Sequence, residues 1–146
     1  MKPILKQVDL VARDMDASIA FYRALGVEIP DSAIWRTPSG VHHVDVAMPG
    51  GLTFHLDSAA LAKAYNRGWR EPSGAGTRSV VTFSVSSRDE VDRIHDELTG
   101  LGHRSSQPPY DTFWGARYAI VEDPDGNHVG IMSPSDPARR TGPPDL

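Results

Sequence analysis

Cysteine is absent from this 146-residue chain. Its absence excludes disulfides, thiolate metal centres and a cysteine nucleophile, and it fits a cytoplasmic protein. No apolar run approaches the length of a membrane span, and Met1-Lys2-Pro3-Ile4 does not open like a secretory leader. Positive charge is in short supply as well. Fifteen Lys and Arg against nineteen Asp and Glu leave a net charge of −4, so neither nucleic acid nor an anionic membrane surface is an expected partner. No serine sits in a nucleophile elbow. Gly74-Ala75-Gly76 lacks the preceding strand and following helix that a dinucleotide loop requires. Turn-formers, in contrast, are plentiful: 13 Gly and 12 Pro, gathered in loops and in residues 133–146.

The apolar pattern occurs twice. Residues 7–13 alternate, with Val8, Leu10 and Ala12 on one face and Gln7, Asp9 and Val11 on the other, as in a strand. Met15, Ile19, Tyr22 and Leu25 then recur at helical spacing, with Asp14 or Asp16 as N-cap and Gly26 as stop. Residues 80–86 alternate again, placing Val81, Phe83 and Val85 opposite Val80, Thr82 and Ser84. Ser87-x-x-Glu90 opens a second helix as a capping box; Val91, Ile94, Leu98 and Leu101 form its stripe, and Gly100 or Gly102 closes it. Strand candidates follow each helix, at 41–48 and 52–57 in the first half and in a hairpin in the second. The pattern reads as two βαβββ modules, although an unrelated α+β sandwich would share these periodicities. The expected organisation is one domain over residues 1–134, with modules at about 5–57 and 79–134. A linker at 58–78 begins with an Ala-rich helical piece, and residues 135–146 form a flexible tail.

The most specific string is residues 110–134, YDTFWGARYAIVEDPDGNHVGIMSP. Two apolar runs, 119–121 and 129–132, flank Asp123-Pro124-Asp125-Gly126-Asn127. Pro124 pre-sets φ, Asp125 can bond back to its own backbone, and Gly126 accepts positive φ, so an antiparallel hairpin is expected. This string resembles the last hairpin of the vicinal oxygen chelate superfamily, which includes glyoxalase I, extradiol dioxygenases and bleomycin- and mitomycin-binding resistance proteins. VDLVARDMDASIAFYRALG resembles its first strand and helix. The resemblance implies an α+β, glyoxalase-like fold in which paired βαβββ modules form a cup-shaped half-barrel, and it implies a homodimer.

Side chains alternate along strands, so parity names the residues that would line such a cup. If the apolar sets lie under the helices, then Gln7, Asp9, Thr53, His55, Asp57, Thr82, Ser84, His128, Gly130 and Met132 face the other way. A three-residue Pro49-Gly50-Gly51 connection adds His43 and Asp45 to them; a two-residue turn would invert the faces. His55 is expected to bond Asp45 first and Gln7 second. His95 and His103, at a helix end, are expected in solvent.

Metal-dependent members of the superfamily carry ligands on the first strand and further along each module, positions that fall here on Gln7, His55, Val80 and Gly130. Val80 and Gly130 offer no donor, so no metal, cofactor or catalytic residue of that kind is expected. His43, Asp45 and His55 are an alternative ligand set, or a polar wall without metal. Trp35, read as a loop residue, and Tyr110, Phe113 and Trp114 supply flat apolar area suited to a planar ligand, or plug the sheet ends. The expected function is metal-independent binding of a small, planar or aromatic organic molecule, as in the antibiotic-sequestering relatives. Gln7, Trp35, His43, Asp45, His55, Tyr110, Trp114 and His128 are its candidate contacts. The alternative is a metal-dependent or acid–base lyase, isomerase or dioxygenase of the glyoxalase type.

Overall fold

Asp14 starts the first helix and Gly26 ends it. The Asp14 carboxylate accepts the Ala17 N–H at 3.0 Å, and Gly26 takes the left-handed conformation at φ 116° while donating to the Tyr22 and Arg23 carbonyls. Replacing Asp14 by alanine is expected to cost about 1 kcal/mol, read as a fall in urea midpoint with an unchanged slope. This computed structural model describes residues 1–74 and 76–145. They divide into two units, Met1–Gly74 and Ala75–Leu146.

The first unit contains β1 (Gln7–Ala12), α1 (Met15–Leu25), β2 (Ile34–Thr37), β3 (Gly40–Ala47), β4 (Thr53–Ser58) and α2 (Ala59–Tyr65). The second contains β5 (Val80–Ser84), α3 (Arg88–Gly100), β6 (Ser105–Asp111), β7 (Arg117–Glu122) and β8 (His128–Met132). Sheet orders are β1-β4-β3-β2 and β5-β8-β7-β6. In each, the first strand runs parallel to the last and the remaining pairs are antiparallel. Each unit is therefore a βαβββ module with an open, mixed sheet, and the fold is α+β as the repeat implied.

Each sheet buries one face under its helix. Met15, Ile19, Tyr22 and Leu25 of α1 are buried with Val44, Phe54 and Leu56, and the Tyr22 and Phe54 rings lie 4.9 Å apart. Val91, Ile94 and Leu98 of α3 are buried with Ala119, Val121, Val129 and Ile131. Leu101, expected on that stripe, is 62% exposed: the helix stops at Gly100, and Gly102 turns away at φ 98°. Ser87 accepts the Glu90 N–H at 3.2 Å, but the Glu90 carboxylate goes to Arg93 instead of closing the capping box. That pairing holds the Glu90 carboxyl below its usual range.

Two strands and a tail differ from the sequence reading. Trp35 lies on β2, not in a loop, and β6 forms where Pro108 and Pro109 interrupt the alternation that marks a strand in sequence. Proline is tolerated there because β6 is an edge strand with register shifts. The tail expected to be flexible docks on its own unit. Asp136 and Thr141 donate their N–H groups to the Gly115 and Phe113 carbonyls, each at 3.0 Å. A Cβ on Gly115, which has φ 91°, would overlap the Asp136 carbonyl.

The β7–β8 hairpin forms as expected, with a different organiser. Asp123, not Asp125, ties the turn: its Oδ1 accepts the N–H groups of Asp125 and Asn127 at 2.9 Å each, and its Oδ2 accepts Asn127 Nδ2 at 2.8 Å.

Candidate functional site

The β3–β4 connection decides which side chains of the first unit can act together. Met48 donates its N–H to the Leu52 carbonyl at 2.8 Å, leaving Pro49-Gly50-Gly51 as a three-residue loop. Gly50 and Gly51 sit at φ 90° and 89°, a region other residues resist. In this register Val44 opposes Leu56 and Val46 opposes Phe54 on the α1 side, while Asp45 opposes His55 and His43 opposes Asp57 on the other. β1 places Asp9 beside His55 from the parallel side.

Two imidazole–carboxylate pairs result. His43 Nδ1 lies 2.6 Å from Asp57 Oδ1, and His55 Nδ1 lies 3.1 Å from Asp9 Oδ1. A carboxylate only accepts, so each Nδ1 carries a proton and, in a neutral ring, each Nε2 keeps its lone pair. The Thr53 hydroxyl donates to His55 Nε2 at 2.8 Å, and Asp45 Oδ1 is 3.9 Å from the same nitrogen. The His43 and His55 rings meet edge to face, centroids 5.1 Å apart. His55 is 8% exposed and Asp57 2%. The Tyr65 hydroxyl, carried back by α2, donates to Asp57 Oδ2 at 2.8 Å. Burial, then the hydrogen bond and charge of Asp57, with Asp9 adding to them, push the Tyr65 hydroxyl above the usual phenol range. Gln7 Nε2 donates to Asp9 at 2.9 Å.

The partners expected for His55 are thus corrected. Asp45 stands directly opposite but at 3.9 Å, and Gln7 bonds Asp9; Asp9 and Thr53 hold the ring. Asp9 could be paired with His55 only once β1 was known to lie beside β4. Tyr65 comes from a segment read as linker, and no local signal tied it to Asp57. His95, expected in solvent, is 8% exposed, with Nε2 2.7 Å from Ser105 Oγ.

The second unit presents an aromatic face on the side away from α3. Tyr118 lies between Met132 and Tyr110 in the register. The Tyr110–Tyr118, Trp114–Tyr118 and Phe113–Trp114 ring pairs have centroids 6.5, 5.9 and 5.1 Å apart, all edge to face. Tyr110 is 39% exposed and Phe113 41%. The Tyr118 hydroxyl and Thr82 Oγ1 are 3.1 Å apart and close over Gly130. A Cβ there would overlap Thr82 Oγ1 and come within 2.6 Å of Tyr118 Oη. His128, at the start of β8, has Nε2 3.8 Å from Glu122 Oε1. Trp35, in the first unit, is 51% exposed and lies against His42 with centroids 5.5 Å apart.

Two βαβββ modules with polar and aromatic faces define a glyoxalase-type protein. The sequence model of the Glyoxalase/Bleomycin resistance protein/Dioxygenase superfamily matches residues 4–131, and the chain belongs to that family. A glyoxalase/bleomycin resistance protein/dioxygenase family enzyme from Burkholderia phytofirmans PsJN is similar in structure, with TM-score 0.70 at 22% identity over 88% of this chain and 96% of that one. A glyoxalase/bleomycin resistance protein/dioxygenase from Nocardioides superposes with TM-score 0.65 at 26% identity, covering 100% of this chain and 91% of that one. Lactoylglutathione lyase from Agrobacterium tumefaciens gives TM-score 0.61 at 23% identity, covering 90% and 94%. No curated protein matches the chain significantly in sequence. No helix among the described residues is long and apolar enough to cross a membrane.

The ligand positions implied by the family do not suit a metal in the second unit. Val80 is apolar and 45% exposed. Gly130 carries no donor, and the Tyr118–Thr82 contact fills the space a longer side chain would need.

Proposed function

We propose that the protein binds a small, largely planar organic molecule against the aromatic face of the second unit, without the family's four-ligand metal centre. The observation that carries this reading is the edge-to-face row Tyr110, Tyr118, Trp114 and Phe113 beside the filled Gly130 position. Such rings offer broad apolar area at little entropic cost, with phenol hydroxyls to orient a ligand's polar edge. His128 is a further candidate contact in the same unit, while the sequence-based candidates Gln7, Trp35, His43, Asp45 and His55 belong to the first unit. The reading includes a homodimer in the cytoplasm, in keeping with the family resemblance and the lack of cysteine.

Screening fused-ring aromatic compounds by tryptophan quenching and thermal shift, with EDTA present throughout, tests it. At least one compound is expected to bind equally with and without EDTA. Trp114→Ala should weaken that compound by about tenfold, the loss of about 1.4 kcal/mol of stacking. A screen in which nothing binds, or binding abolished by EDTA, refutes the proposal.

A second reading, an enzyme of the lyase, isomerase or dioxygenase kind, is favoured by the two imidazole–carboxylate pairs of the first unit. Under it His55, oriented by Asp9, serves as general base. Turnover of a carbonyl, thiol-adduct or catechol substrate would then vanish in His55→Ala and survive in Trp114→Ala.

A further inference from the structure

We infer that His43, Asp45 and His55 form a binding site for one divalent ion of the iron-to-zinc series, built within the first unit; it shares only His55 with the four family-implied ligand positions and takes its other two ligands from β3. It does not depend on the ligand proposal above.

Three observations converge. A ring nitrogen from each histidine and a carboxylate oxygen of Asp45 lie within 4.8 Å of one another. Ligand atoms on such an ion stand about 3–3.5 Å apart, given bond lengths near 2.1 Å, so binding needs side-chain closure of about an ångström. The Asp45 side chain, 56% exposed and already 3.9 Å from His55 Nε2, is free to move toward the histidines. Two histidines and one carboxylate suit iron, cobalt, nickel or zinc better than magnesium or calcium, and leave positions open for water or a substrate oxygen.

The second observation is what stands behind the histidines. Each Nδ1 is held by a carboxylate, Asp57 at 2.6 Å and Asp9 at 3.1 Å, which fixes the ring's orientation and leaves Nε2 as the nitrogen free to ligate a metal. Those carboxylates are themselves anchored, Asp57 by the Tyr65 hydroxyl and Asp9 by Gln7. The Thr53 hydroxyl shares the His55 Nε2 lone pair; a bound ion would replace that hydrogen bond.

The third is charge. Asp9, Asp45 and Asp57 surround two imidazoles, and among the described residues none of the three pairs with a lysine or arginine. Holding Asp57 at 2% exposure with only imidazole and phenol donors is costly, and a cation on the far side of His43 would offset that cost.

The test uses the full chain, stripped with chelator, with cobalt(II) as a visible-absorbing probe and zinc(II) in calorimetry. One ion per chain is expected. His43→Ala and His55→Ala should weaken zinc by about 100-fold, Asp45→Asn by about tenfold or more, and Asp57→Asn by about 10- to 100-fold through the imidazole it orients. Thr82→Val, in the other unit, should bind as the parent does. Asp45 is exposed, so Asp45→Asn keeps the test decisive if a histidine variant fails to fold. No stoichiometric binding, or binding unchanged in Asp45→Asn, overturns the site. Aromatic-ligand binding in EDTA is read separately, so either proposal can fail alone.

Discussion

Asp57→Ala is expected to remove about 3 kcal/mol of unfolding free energy, a large share of the total for a domain of this size. The carboxylate is 2% exposed and accepts from His43 Nδ1 at 2.6 Å and Tyr65 Oη at 2.8 Å. Alanine removes the buried acceptor that both donors share; a donor left unpaired costs about 1–3 kcal/mol, with His43, 27% exposed in its side chain, bearing more of it than Tyr65, which is 55% exposed. Asparagine keeps the shape and one acceptor, so Asp57→Asn should lose only about 1 kcal/mol. Urea unfolding of the two variants checks this. Equal, small losses would show that the pair is solvated and contributes little. Tyr65→Phe offers an independent reading, because removing the donor as well should reduce the penalty of Asp57→Ala.

Gly130→Glu, which installs a carboxylate at the ligand position the family resemblance implies, is expected to destabilise the chain by about 3 kcal/mol and not to create the family's metal centre. The first Cβ already overlaps Thr82 Oγ1 and lies 2.6 Å from Tyr118 Oη, and Val80 still has no donor. Thr82→Ala and Tyr118→Phe remove the two colliding oxygens, so in that background the same substitution should cost measurably less. Melting temperatures of the four proteins decide it. If Gly130→Glu melts with the parent, the Tyr118–Thr82 contact does not close the position.

What the sequence determined by itself was the module. Alternation in residues 7–13 and 80–86, the Asp14 and Ser87 caps, Gly26 and the Asp-Pro-Asp-Gly-Asn turn are local signals, each acting within a few residues. They suffice to place two strand–helix units and the closing hairpin, and to show that Val80 and Gly130 carry no metal donor. Parity along β4 followed too, because Phe54 and Leu56 alternate with Thr53, His55 and Asp57, while the faces of His43 and Asp45 depended on a three-residue Pro49-Gly50-Gly51 connection.

The tertiary structure decided the pairings. β1 lies parallel beside β4 through a crossover, and only that adjacency puts Asp9, not Asp45, on His55. Tyr65 reaches Asp57 from α2, and Tyr118 reaches Thr82 across Gly130 from a strand 36 residues away. The docking of residues 136–141 on the Gly115 turn is of the same kind. A side chain's hydrogen-bond partner in a mixed sheet depends on strand order and register, which are set by burial of the whole apolar face. The pattern within any one strand specifies that face and leaves its neighbour open.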